Sequence, residues 1–240
     1  MITQKLLEKL AGRYQTTELN VRREYFQHLF LSYFYKQTES ENIFFKGGTA
    51  LRLIYGSPRF SEDLDFSSVN ITFGKIESAI EKTLSEISRE GVSCDIIESK
   101  KTTGGHLAII KFISQKRETR LKLEISLRNE GASGEIKTIE SDHIPPYLVI
   151  ALSQKILLAQ KIQALMTRGK PRDFYDLYFM LRKSMFHDEE KYKFKEILDK
   201  VKGTEISFRM ELEEFLPKSH WMLLKDFKKS LEKELEMRIS

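Results

Sequence analysis

Two glycines followed by two closely spaced carboxylates constrain this chain more than any other feature. The run Asn42–Lys46 is short and apolar and ends in Gly47-Gly48, which reads as a strand entering a tight turn. Thr49–Tyr55 then reads as a short helix, broken by Gly56-Ser57-Pro58, and Leu64–Ser67 as a second strand. In a strand, residues two apart project to the same face. Asp63 and Asp65 therefore project together, while Leu64 and Phe66 point into a core. Carboxylates this close repel unless a cation neutralises them, and oxygen ligands of this kind suit magnesium or manganese.

A third acid lies in a later strand. In Arg120-Leu121-Lys122-Leu123-Glu124-Ile125-Ser126-Leu127 the four aliphatic residues make a buried face, and Glu124 lies on the other with Lys122 and Ser126. If that strand pairs beside the Asp strand, three carboxylates converge into a set able to hold two metals, the arrangement that clamps the attacking and leaving oxygens of an in-line displacement. Gly47 and Gly48 let the backbone approach a phosphate closely. A helix beginning at Thr49-Ala50 would aim free N–H groups at it, with the Thr49 hydroxyl as one more donor. Each piece alone has a plainer reading: a Gly-Gly pair is ordinarily a turn, an Asp-Leu-Asp a solvated strand edge, and a single Glu a surface residue.

The rest of the chain divides around Pro145-Pro146, because proline ends regular structure. Upstream, Tyr25, Phe26, Leu29, Phe30, Tyr33 and Phe34 recur at helical spacing, with Asn20 or Thr16-Thr17 as cap. Phe73–Glu90 reads as a helix with Ile76, Ile80, Leu84 and Ile87 on one face, and Leu107–Ile113 and Arg120–Arg128 as strands joined by Ser114–Thr119. Downstream, Leu148–Arg168 reads as one long helix stopped by Gly169-Lys170-Pro171; Asp173–Lys183 reads as another, and Leu223, Phe227, Leu231 and Leu235 mark the last. The expected architecture is α+β: residues 1–146 a mixed-sheet domain with its N-terminal helices, residues 147–240 a helical bundle.

The second informative stretch is Gln160–Tyr178. Lys161 and Arg168, seven apart, share a helix face and flank the apolar positions Leu158, Ile162 and Leu165. That edge suits a cleft between the domains where two cations would meet nucleotide phosphates; the plainer reading is a solvated surface. Arg172 and Asp176 can pair at i,i+4, and Asp173 can cap a helix.

Composition narrows the class. The 240 residues are 40% hydrophobic with 16 Phe, enough for a core, and the net charge of +5 fits either a polyanionic partner such as nucleic acid or an ordinary basic surface. The one cysteine, Cys94, cannot form an internal disulfide and fits a reducing compartment. No apolar run approaches the ~20 residues of a membrane span, and the N-terminal residues lack a signal-peptide core, so a cytoplasmic location without membrane contact is expected. His28, His106, His143, His187 and His220 show no ligand spacing, and Gly104-Gly105-His106 reads as a turn.

Gly-Gly-Thr-Ala-Leu (47–51) followed by Arg-Phe-Ser-Glu-Asp-Leu-Asp-Phe (59–66) resembles the first motif of nucleotidyltransferases of the AbiEii/AbiGii toxin family, within the polymerase-β-like superfamily. The gap between Gly48 and Asp63 is longer than the superfamily's shortest pattern but similar to this family's usual form. Lys-x-x-Ala-Leu (161–165) with Arg-Gly-Lys-Pro-Arg-Asp-Phe-Tyr-Asp-Leu-Tyr (168–178) resembles the family's helical signature. The resemblance covers about residues 42–182. It implies that Asp63 and Asp65 bind metal with Glu124 as third acid, and that Gly48 and Thr49, beside Gly47, meet nucleotide phosphates. It also implies that Lys161 binds the triphosphate, with Asp173 or Asp176 in the active cleft; Asp173 would orient Lys161 or a substrate group. Arg59 and Arg168 are further candidates for the phosphates. The implied activity is transfer of a nucleotide from a nucleoside triphosphate to RNA, such as the 3′ end of a tRNA, or to a protein, as the toxin of a pair with a cognate antitoxin. Two rivals stand beside it: a non-catalytic nucleic-acid-binding protein on a transferase scaffold, and a metal-dependent nuclease. The Gly-Gly turn and the Lys161–Arg168 face fit a triphosphate better than a cleavage site.

Overall fold

The computed structural model describes residues 2–127 and 131–239, with the backbone alone at 188–190. It divides into two compact units, Met1–Gly56 with Phe60–Ser153, and Ser57–Arg59 with Gln154–Ser240.

The first unit opens with helices α1 (Gln4–Tyr14) and α2 (Glu18–Phe34). The Thr17 hydroxyl caps α2 by accepting the Asn20 N–H at 3.2 Å, which satisfies one of the four donors a helix start leaves open. α2 is not a surface helix: Val21, Phe26, Phe30, Leu31 and Phe34 have no exposed surface. Phe26 stacks on Phe112 at 4.5 Å and Phe30 on Phe34 at 5.2 Å. Then follow β1 (Ile43–Lys46), α3 (Gly47–Tyr55), β2 (Leu64–Ser68), α4 (Phe73–Arg89), β3 (Ser93–Thr102), β4 (Gly105–Ser114), β5 (Arg117–Ser126), β6 (Gly134–Ile139) and β7 (Tyr147–Leu152). Arg128, the expected end of the β5 strand, lies outside the described residues.

The described residues form one seven-stranded sheet in the order β3-β4-β5-β2-β1-β7-β6. β2 pairs parallel with β5 and β1 parallel with β7, and the other pairs are antiparallel. The sheet is therefore mixed, as expected. Burial alternates along β5: Leu121, Leu123 and Ile125 are buried while Arg120 and Glu124 are exposed. One face thus joins the core with α2 and α4, and the other carries polar chemistry.

Three strands, β3, β6 and β7, are absent from the sequence reading. β7 occupies the start of what reads as a long helix, and the helix itself, α5 (Gln154–Thr167), begins only after Ser153. The residues following Pro145-Pro146 include β-branched Val149 and Ile150, which suit a pleated surface. Between β1 and β6 they find hydrogen-bonding partners that no local pattern reveals. The division between the units accordingly falls at Ser153/Gln154, and Ser57–Arg59 groups with the helices. β3 has no clear apolar alternation because it is an edge strand with a bulge between Ile96 and Glu98, where charge is the usual protection against stray pairing.

The second unit contains α5, α6 (Pro171–Arg182), α7 (Phe194–Lys202), α8 (Phe208–Phe215), α9 (Trp221–Leu224) and α10 (Phe227–Ile239). Leu223 belongs to α9 and not to the last helix, because the chain turns at Lys225-Asp226. An aromatic cluster joins α6, α8 and α10: Phe174 meets Phe208 edge-on at 5.4 Å, Phe208 meets Phe227 at 4.9 Å and Tyr175 stacks on Phe227 at 5.9 Å. No helix among the described residues is long and apolar enough to cross a membrane.

The alternation in β4 yields a direct test. Phe112→Ala should lower stability by about 3–5 kcal/mol, because it opens a cavity under Phe26. The neighbouring Ile113→Ala, on the exposed face, should stay within about 0.5 kcal/mol. Urea unfolding of the two variants measures both.

Candidate active site

The acids are placed by strand register. β2 lies between β1 and β5, with Lys46 opposite Asp65 and Asp65 opposite Glu124. On the core side Phe45 pairs with Phe66 and Phe66 with Ile125. Lys46, Asp65 and Glu124 thus share one face at one level of three neighbouring strands, because their partners of opposite parity are buried. The condition set in the sequence, that the Glu strand lie beside the Asp strand, is met by the parallel β2–β5 pair.

Asp63 sits one residue before β2, and its backbone is held from below. Gln27 Nε2 donates to the Ser61 carbonyl at 2.8 Å and to the Glu62 carbonyl at 3.2 Å, and the Thr49 hydroxyl donates to the Asp63 carbonyl. Three successive carbonyls of the turn are therefore taken by side chains from α2 and α3, which leaves the turn little freedom. Thr49 is fully buried. Its hydroxyl serves the Asp63 backbone, a use the sequence does not announce.

Gly47 has φ +86°, and a Cβ there would stand 2.1 Å from Asp65 Oδ2. The glycine is needed twice over: for a left-handed backbone that opens α3, and for the space that the Asp65 carboxylate occupies. Gly48 is buried in the first turn of α3. At the other end of the face, Gly105 lets β4 approach β5, since a Cβ there would meet the Ile125 carbonyl oxygen at 1.9 Å.

A cation already lies among the acids. Lys122 Nζ is 2.7 Å from Glu124 Oε1 and 3.3 Å from Asp63 Oδ2. Partial burial alone would lower the Lys122 pKa, but the two carboxylates outweigh it and push it up. Asp63 and Glu124 share one ammonium, and their hard oxygens are of the type that suits magnesium, but Asp63, Asp65 and Glu124 do not bring three ligand atoms within 4.8 Å of one another, so the convergence expected of the three acids is not met. Beside them opens a cavity of about 410 Å³, bordered by Lys46, Asp65, Glu124, Ser126 and the Thr103–Gly105 turn, within the roughly 300–1,000 Å³ range of small-molecule sites. Lys46, Lys122 and the β3–β4 turn were missed as site residues. The Lys122-x-Glu124 alternation was the available signal, but nothing local places Thr103–Gly105 beside β5.

The helical unit carries a second constellation. Asp176, 1% exposed, accepts Arg59 Nε at 2.9 Å and Nη2 at 3.1 Å, and Lys161 Nζ at 2.6 Å. Burial alone would push its carboxyl up; the Arg59 guanidinium, then Lys161, outweigh that and hold it below the usual carboxylate range. Asp173, equally buried, accepts Arg168 bidentately at 2.8 and 2.6 Å, and Oδ2 also accepts the Lys170 N–H at 3.1 Å, closing the first turn of α6. The expected partners thus exchange. Lys161 is oriented by Asp176 and not by Asp173, and Arg172 lies 3.6 Å from Glu211 and not on Asp176. Burial accompanies this choice: the Asp176 carboxylate is almost wholly enclosed and met there by Arg59 and Lys161, while the Arg172 side chain is about a third exposed. The Arg168 side chain stays 48% exposed although Asp173 fixes its fork.

A mixed sheet with acids on its polar face, followed by a helical bundle, is an α+β architecture, and the family match makes it that of a nucleotidyltransferase. The chain belongs to the family described as "Nucleotidyl transferase AbiEii toxin, Type IV TA system", whose pattern it matches over residues 29–237. Its fold is similar to the crystal structure of JHP933 from Helicobacter pylori, at 21% identity over 93% of each chain with a TM-score of 0.67. It is also similar to a proposed nucleotidyltransferase from H. pylori, at 21% identity over 93% of this chain and 96% of that one with a TM-score of 0.64. No curated protein matches it.

Two outcomes are expected. Gly47→Ala should displace the Asp65 carboxylate, lowering thermal stability by about 1–2 kcal/mol and removing nucleotide transfer to the extent that Asp65→Asn does. Asp176→Asn should destabilise by about 3–5 kcal/mol, since it removes the buried carboxylate on which Arg59 and Lys161 converge. Because the folded Asp176 pKa is depressed, its contribution is complete above the unfolded value of about 3.9 and is lost as pH falls through the folded value. Urea midpoints followed from pH 7 down to pH 3 should fall for the wild type and lose that component in Asp176→Asn.

Proposed function

We propose that the chain transfers a nucleotide from a nucleoside triphosphate to an acceptor hydroxyl, releasing pyrophosphate, with Asp63, Asp65 and Glu124 as ligands for magnesium or manganese. The observation that carries this reading is the register Lys46–Asp65–Glu124 across three strands beside a cavity, with Lys122 bridging Asp63 and Glu124. When bound, the metal would supply charge neutralisation for the phosphates and activation of the attacking oxygen.

The protein's own part is positioning and electrostatics. The acceptor oxygen forms a bond to the α-phosphorus as the bond from that phosphorus to the β-bridging oxygen breaks, and pyrophosphate leaves with the electron pair. Glu124, exposed at the end of this face, is suited to take the acceptor proton. Lys122 and Lys46 provide fixed positive charge, and the α3 N-terminus at Gly47–Thr49 supplies backbone N–H groups for phosphate oxygens. In the helical unit, Lys161, Arg59 and Arg168 are proposed to serve the triphosphate, with Asp176 and Asp173 orienting them. The half-exposed, acid-anchored Arg168 fork suits a phosphate best.

Family membership supports a toxin acting within a toxin–antitoxin pair, hence a cognate antitoxin as partner. The net charge of +5 favours RNA, with tRNA as the first acceptor to try, over a protein side chain. A reducing, cytoplasmic setting fits the lone Cys94.

Incubation of purified protein with each α-labelled nucleoside triphosphate, magnesium and total cellular RNA tests the reading. Label should enter RNA with stoichiometric pyrophosphate, and Asp65→Asn should reduce it by more than about a hundredfold, beyond what loss of even an outer-sphere partner costs. Cleaved RNA ends without pyrophosphate would replace this reading by a nuclease. Full labelling by Asp63→Ala with Asp65→Ala would remove the acids from the reaction.

A further inference from the structure

Away from the acid cluster, the first unit buries a second group of potential ligands. Glu24 and His28 lie one turn apart on α2, and His143 comes from the segment that leads into β7. One ligand atom from each can be chosen so that all lie within 4.8 Å of one another, and among the described residues this is the one such set of three. Its side chains are closed off from solvent: Glu24 and His143 are 7% and 1% exposed.

His143 is the anomaly. Both its ring nitrogens are buried and neither has a hydrogen-bond partner. Buried polar atoms are satisfied as a rule, and each orphan costs about 1–3 kcal/mol. Nε2 stands 3.5 Å from Glu24 Oε1, outside hydrogen-bond geometry. That separation is what two ligand atoms about 2.0–2.1 Å from a tetrahedral ion require, since they then stand about 3.4 Å apart.

The surroundings are those of a supported site. His28 Nδ1 lies 2.8 Å from the Tyr147 hydroxyl, which fixes the ring and leaves Nε2 as the ligand nitrogen, the arrangement found around metal-bound histidines. The backbone of the His143 segment is held by Ser141 Oγ, which accepts the His143 N–H at 2.9 Å, and Asp142 is anchored by Tyr14 and by Arg13 at 3.1 Å. Arg52 holds Glu24 through both oxygens. A carboxylate has about four acceptor positions, so room remains on Oε1 beside His143. The guanidinium opposes a second cation, and it also acts as the outer hydrogen-bond partner that ligating carboxylates carry.

We propose that Glu24, His28 and His143 form a binding site for a divalent transition-metal cation of the zinc type, independent of the three acids. Two imidazoles and one carboxylate favour zinc over magnesium. The ion would tie α2 to the segment entering β7, two parts of the unit far apart in sequence, and so would act on stability.

The test is zinc binding by the purified full chain, measured by equilibrium dialysis in excess magnesium so that the acid cluster is occupied. The wild type should retain one zinc per chain. His143→Ala and His28→Gln should each weaken retention more than about tenfold, and the Asp63→Asn, Asp65→Asn double variant should retain it unchanged. Zinc should raise the melting temperature of the wild type and not of His143→Ala, and cobalt in place of zinc should give a visible d–d band that His143→Ala lacks. If His143→Ala proves misfolded by circular dichroism, His28→Gln decides. Failure of the wild type to retain zinc, retention that survives both histidine changes, or retention lost with the two aspartates would each overturn the proposal. None of these readouts depends on nucleotide transfer.

Discussion

The parallel pairing of β2 with β5 is the constraint on which the rest of the first unit depends. It sets Asp65 opposite Glu124 only because it also sets Leu64 opposite Leu123 and Phe66 opposite Ile125 on the buried face. A slip by one residue would turn both aromatic and acidic sets over, exposing Phe66 and burying unpaired carboxylates. The hydrophobic core and the acid cluster are two faces of one register. The strength with which Phe26, Phe30, Phe34, Phe45 and Phe66 fix that register is what permits like charges to be held together opposite.

Around this pairing the protein controls electrostatics by assigning every buried acid a cation. Among the described residues, Glu24 has Arg52, Asp176 has Arg59 and Lys161, Asp173 has Arg168, and Glu234 has Arg182 and Arg238. At Glu24, burial alone would raise the carboxyl, yet the Arg52 guanidinium outweighs it, and the carboxyl is held down at about 2. Such pairs add little net stability over apolar replacements, but breaking one is costly. Their value is in orientation: a buried acid fixes the direction of the cation that it clamps. The acids of β2 and β5 differ, since their partner Lys122 is only partly buried and bridges two of them. That contact is exchangeable in a way that the buried pairs are not.

Much of the local structure around the acids was legible because it is set by a period of two or a single turn: Asp65 lies in β2 and Glu124 in the alternating β5, while α3 begins already at Gly47 and not at Thr49, and Asp63 falls just before β2. What was misread depended on distant partners. Tyr147–Leu152 looks helical when joined to the helix that follows, and becomes a strand because β1 and β6 are there to pair with it. Asp176 sits at the correct spacing to meet Arg172 along one helix, yet takes Arg59 and Lys161 because α6 turns that side chain inward.

The sequence by itself determined the class of fold, the strands and helix that carry the acids, and the family to which the chain belongs, because those rest on short-range periodicity and on residue types at fixed offsets. Only the tertiary structure decided which cation serves which acid, that Thr49 and Gln27 hold the turn before Asp63, and that His143 reaches Glu24 and His28. Those contacts join residues far apart along the chain, and the chain is silent about them until the sheet order and the helix faces are fixed by burial.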